Sequence, residues 1–129
     1  MKKILLILTL AFLNTSVLAE WTRIGAHENE NGYAAYADFT SVRTAGDRVK
    51  MWVLFDYQTE QRASGASFLS KTIRREYDCK GKHMRLLAFK LFRWNMGGGE
   101  QLRAYNQPQN WESVVPESMG EAEWKAACS

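Results

Sequence analysis

Along most of the chain apolar and polar residues alternate in short runs, the two-residue period of strands with one buried face. Trp21-Thr22-Arg23-Ile24-Gly25 reads as a first strand. Asn31-Gly32 follows, a strong hairpin signal because both residues tolerate positive φ, and Tyr33 to Phe39 is the returning strand. Ala45-Gly46-Asp47 makes the next turn, and Val49 to Tyr57, rich in β-formers, is a third strand. Phe68 to Cys79 is a fourth strand and Met84 to Trp94 a fifth, joined by a tight basic turn at Lys80-Gly81. Asn95-Met96-Gly97-Gly98-Gly99 is a turn and Glu100 to Tyr105 a short sixth strand. The polar stretch Gln58 to Ser67 is expected to be the longest loop. Neighbouring strands joined by turns predict an antiparallel meander or small barrel.

Two strands break the one-sided pattern. The fifth carries Leu87, Phe89 and Leu91 on one face and Leu86, Ala88, Phe92 and Trp94 on the other. The third sets Val49, Met51, Val53 and Phe55 opposite Trp52 and Leu54. A half-exposed sheet alternates more cleanly. The sheet therefore either curls into a barrel, or a partner covers the second face as a homodimer or ligand surface.

Beyond Pro116 the period changes to that of a helix. Ser118 stands as an N-cap with Glu121 three residues on, the capping-box spacing. Glu117, Glu121 and Glu123 place negative charge where the helix dipole favours it. Trp124 and Cys128, four apart, share a face that should turn to the sheet. The fold class is thus α+β: about six antiparallel strands, curled or barrel-like, with one C-terminal helix.

Residues 1–19 read as a cleavable signal peptide: Lys2 and Lys3, an apolar run from Ile4 to Leu13 too short to span a bilayer, and Val17-Leu18-Ala19 before the cleavage point. Residues 20–129 are one domain. The sequence offers no second long apolar run and no cysteine directly following the leader's apolar run, so neither a transmembrane segment nor a lipid anchor is expected. The product is periplasmic or secreted. The full chain carries seventeen basic and fourteen acidic residues. Two of the lysines leave with the leader, so a nucleic-acid partner is not expected. Two cysteines, Cys79 and Cys128, in an exported chain read as one disulfide, with two free thiols as the alternative. Bonded, they staple the chain's end to the shoulder of the fourth strand, for about 4 kcal/mol of chain-entropy stabilisation.

Motifs for catalysis are missing: the sequence contains no G-x-S-x-G, H-E-x-x-H, P-loop or EF-hand pattern. No enzyme, catalytic residue, cofactor or metal is expected. His27 and His83 read as solvated turn residues, with an axial haem or metal ligand as the alternative. The usable surface signal is charge. From Gln61 to Arg103 there are ten basic residues against three acids. Arg74, Arg75, Lys80, Lys82 and Arg85 concentrate near the central hairpin. They read either as a solvated edge that resists strand pairing or as a patch for acidic partners such as polyanionic glycans, acidic protein segments or haem carboxylates.

The ordered landmarks resemble the surface-adhesin protein E family of Gram-negative bacteria. They are Trp21, Tyr36-x-Asp38-x-x-Ser41, Val49-x-x-Trp52, Ser70-Lys71, Tyr77-Asp78-Cys79, Arg85, Met96-Gly97-Gly98-Gly99, Trp111, Pro116-x-Ser118 and Cys128. The resemblance covers the mature chain. It implies a six-stranded antiparallel sheet with a helix disulfide-tethered to its concave side, in a dimeric protein that binds host matrix proteins, plasminogen and haemin. The expected function is then a non-enzymatic exported binding module. The alternatives are a soluble periplasmic protein such as an enzyme inhibitor, or a small-ligand or haem carrier.

Overall fold

The computed structural model describes residues 19–28 and 32–129. The leader up to residue 18 and the Asn31 half of the first turn lie outside the described residues. Six long strands run in chain order: β1 (Trp21–His27), β2 (Tyr33–Ala45), β3 (Arg48–Ala63), β4 (Ala66–Asp78), β5 (His83–Phe92) and β6 (Gln101–Asn106). Each pairs antiparallel with the next, and a two-residue β7 (Glu112–Ser113) adds to β5 beside His83 and Met84. A 3₁₀ turn (Asn95–Gly97) and one helix, α1 (Met119–Cys128), complete the fold. β1 and β6 are the two edges of the sheet, which stays open and does not close into a barrel.

The expected loop over Gln58 to Ser67 is instead a hairpin extension. Ser64 and Gly65 both take positive φ, 50° and 77°, which is the two-residue turn whose twist matches its strands. Gln61, Arg62 and Ala63 therefore pair with Phe68, Ser67 and Ala66. Polarity there marks exposure and not irregular backbone. β2 likewise continues past Phe39 through a bulge between Asp38 and Arg43. The Ser41 hydroxyl fills the gap, donating to the Asp38 carbonyl at 2.6 Å and accepting from the Trp52 amide at 2.9 Å.

The doubly apolar strands have two causes. First, β5 bulges at Leu87: Arg74 pairs with Ala88 and Arg75 with Leu86. Leu86 and Phe89 thereby join the same core, together with Val49, Met51, Val53, Phe55 and Ile73. Leu86 thus leaves the face that simple alternation assigned to it. Second, the turn after β5 folds back over the other side of the sheet. The Ser70 hydroxyl donates to the Trp94 carbonyl and accepts from the Gly97 amide at 2.8 Å. Asp56 accepts from the Met96 amide at 2.7 Å. Gly97 then lies so close to Leu54 that a Cβ there would meet its Cδ1 at 3.6 Å. Leu54 is buried by its own chain, on a face the helix never reaches.

The helix covers the opposite face, packing on β1 to β4. Ser118 caps it by accepting from the Glu121 amide at 3.2 Å, while Glu121 accepts from the Glu117 amide at 3.0 Å. Its far end is held by the Cys79–Cys128 disulfide, whose Cα atoms are 5.5 Å apart. Trp124 lies beside that bond and donates to the Asp78 carbonyl at 3.0 Å.

Candidate binding surface

The five basic residues singled out by charge spread over four places. Arg74 and Arg75 are adjacent in an unbroken β3–β4 ladder, so they point to opposite faces. Arg75 faces the helix and binds Glu123, Nε to Oε1 at 2.7 Å, which takes it out of any surface patch. Arg85 is on the outer face, held by Glu76 at 2.8 Å and stacked 4.7 Å from the Trp111 ring, which Arg48 also covers at 5.0 Å. Lys80 and Lys82 occupy the β4–β5 turn, which Asp78 closes by accepting from the Lys80 and Gly81 amides. Lys80 is exposed, and Lys82 lies over the Trp124 ring with a loose contact to Glu121 at 3.4 Å.

Arg74 belongs to a different cluster. On the outer face its register neighbours are Trp52 and Ala88. Lys90 sits 5.3 Å over the Trp52 ring. Trp52 and Lys90, with Trp21, Phe92 and Met96, line a cleft of about 320 Å³ that also reaches Asp38 and Thr72, and Arg74 lies beside Trp52 outside that lining. Trp94, beside the same turn, is 56% exposed. Tryptophan and arginine are residues enriched in interface hot spots, and Lys90 adds positive charge beside them. Simple charge counting found Arg74 but missed Lys90. The signal available was Lys90 two residues before Phe92, in phase with Ala88 on that side of the sheet.

The helix face holds a second group that sequence reasoning missed. Glu123 is 1% exposed. It accepts from Arg75 and, at 2.9 Å, from the Tyr77 hydroxyl. It therefore faces the core, in contrast to its expected part in the helix dipole. Its spacing showed this: Met119, Glu123 and Ala127 fall every fourth residue along the buried stripe. Burial opposes the Arg75 charge, and the Glu123 carboxylate outweighs it, so the guanidinium pKa is raised. Burial and then Glu123 push the Tyr77 hydroxyl well above its usual value. Burial alone is the larger cause of the rise of Tyr57 to about 12. Raised values keep Arg75, Tyr77 and Tyr57 protonated at neutral pH.

Neither histidine is a turn residue. His27 ends β1 with its ring 5.6 Å from Tyr33, and His83 begins β5. Among the described residues no three His, Cys, Asp or Glu side chains converge on a metal-sized site.

Over residues 21–129 the sequence matches the family described as Surface-adhesin protein E. Among curated proteins none matches the sequence. The fold is similar to that of Haemophilus influenzae protein E. Against crystal form II of that protein the TM-score is 0.66 at 14% identity, covering 90% of this chain and 94% of that one. A second structure of H. influenzae protein E gives 0.64 at 14% identity over 92% and 90%. Protein E from a non-typeable strain gives 0.62 at 15% over 89% and 79%.

Proposed function

This chain belongs to the surface-adhesin protein E family, and we propose that it is a surface-displayed, non-enzymatic adhesin that binds through the outer face of its sheet. The partner is an acidic segment of a host matrix protein or of plasminogen. The observation that carries this reading is the cluster of Arg74 and Lys90 around Trp52, flanked by Trp21, Phe92 and exposed Trp94. Tryptophan supplies contact area and the cations supply complementarity to carboxylates. Lys80 and Lys82 add charge at the hairpin end.

Binding of the mature protein to immobilised plasminogen and matrix protein tests it. Arg74→Glu and Lys90→Glu should each weaken binding about tenfold, and the wild-type affinity should fall with salt. Lys125→Glu, on the exposed side of the helix, should leave binding unchanged. Equal binding by all three variants, or indifference to salt, would overturn the outer-face assignment. Tight association with a cell-wall hydrolase in place of host protein would favour a periplasmic inhibitor.

A further inference from the structure

The helix packs chiefly on β1 to β4 and approaches β5 at Met84, away from the Phe89–Leu91 end where β6 pairs. There Lys71 stands between Phe55 and Leu91 in the cross-strand register, with Arg103 one strand further on. The Lys71 ammonium lies 5.7 Å over the Phe55 ring. The ion pairs among the described residues all involve other cations. Burial and then the Arg75 charge lower the Lys71 pKa, partly offset by the Glu123 carboxylate. Beside it is a groove of about 250 Å³ walled by Phe68, Phe89, Leu91 and Tyr105. Phe89 and Tyr105 are stacked with centroids 5.4 Å apart. At the rim the Arg103 guanidinium is held at 2.9 Å by the Ser64 carbonyl, on the tip of the β3–β4 hairpin.

We propose that this groove, on the face opposite the adhesive one, binds a small aromatic carboxylate. Its ring lies on Phe89 and Tyr105 and its carboxylate meets Lys71, with Arg103 as a second cation. Charge complementarity selects an anion, because a partly desolvated ammonium that makes no ion pair among the described residues gains from a carboxylate brought into direct contact. The aromatic walls select a flat apolar body. The volume is below the roughly 300–1,000 Å³ of drug-sized sites, which limits the ligand to about one ring and a short chain.

The test is amide NMR titration of the mature protein with 3-phenylpropionate, 3-phenylpropan-1-ol and 3-phenylpropylamine. The acid should shift the amides of Phe89, Leu91 and Arg103 and bind at least about tenfold tighter than the alcohol, the worth of a charge-assisted hydrogen bond. The amine should not bind. Lys71→Met should remove the preference for acid over alcohol while keeping the spectrum of the folded protein. Tyr105→Ala, at the exposed edge, should weaken acid and alcohol alike. Three results would overturn the assignment: equal affinity for acid and alcohol, shifts confined to the Trp52 cleft, or no shifts at millimolar ligand. Self-association of the protein that is lost in Lys71→Met would also overturn it, by making a second copy the occupant.

Discussion

Trp124 Nε1 donates to the carbonyl of Asp78 at 3.0 Å, one residue before Cys79, to which the helix is covalently joined through Cys128. Two attachments from one helix face therefore converge on the shoulder of a single hairpin. That shoulder is itself tied to the β2–β3 turn, because the Cys79 amide donates to the Asp47 carbonyl at 2.9 Å.

Because the helix is held by hydrogen bonds as well as the disulfide, the disulfide acts mainly on the unfolded chain. Cys128→Ser should cost about 4 kcal/mol and lower Tm by roughly 15 °C. Its far-UV circular dichroism at room temperature should match the wild type. An unchanged Tm on reduction would show that the link contributes nothing.

Glu123 is buried and its partner Arg75 is largely covered, so removing one partner is worse than removing both. Glu123→Ala should destabilise by about 3–5 kcal/mol, leaving a charge in the core. A Glu123→Leu/Arg75→Met double variant should recover part of that loss, because it replaces the ions with apolar volume but leaves the buried Tyr77 hydroxyl without its acceptor. Urea denaturation of the single and double variants gives the coupling directly.

Two surface carboxylates contribute to stability at acid pH. The Gly81 amide, then that of Lys80, hold Asp78 below its ordinary value of 3.8. The Glu117 amide, then Lys82, hold Glu121 below 4.5. Depressed folded-state values mean that this stabilisation is complete above those ordinary values and is lost as pH falls through the folded ones. Wild-type protein should lose more stability between pH 7 and about pH 3 than Asp78→Asn or Glu121→Gln does. Parallel losses in all three would contradict the assignment.

Ser70 is fully buried and joins the returning turn to β4 through both its hydrogen bonds. Ser70→Ala should destabilise by about 1–3 kcal/mol, leaving the Gly97 amide without its partner. Hydrogen exchange should quicken at Gly97 before it does in the core strands.

The existence of strands was legible wherever polar residues broke up the apolar ones, as in Trp21 to Gly25, although a bulge between Arg23 and Gly25 leaves no sign there. Phase was lost across Leu86-Leu87-Ala88-Phe89, where every residue is apolar and a bulge leaves no trace. The helix cap was legible because Ser118 and Glu121 act locally. Glu123 was misread because an acid near a helix start satisfies the dipole rule equally well whether it faces water or the core. The Ser64-Gly65 turn was within reach, but the polar residues around it resembled a loop. Of the charge patch, the density was legible and the facing was not: Arg74 and Arg75 are neighbours in sequence and on opposite sides in space.

The most direct test of surface adhesion is to treat intact cells with protease, release the periplasm of a parallel sample by osmotic shock, and probe both for the mature chain. A displayed adhesin is digested on intact cells and absent from the shock fluid. Full protection on intact cells, with release by shock, would contradict a surface adhesin.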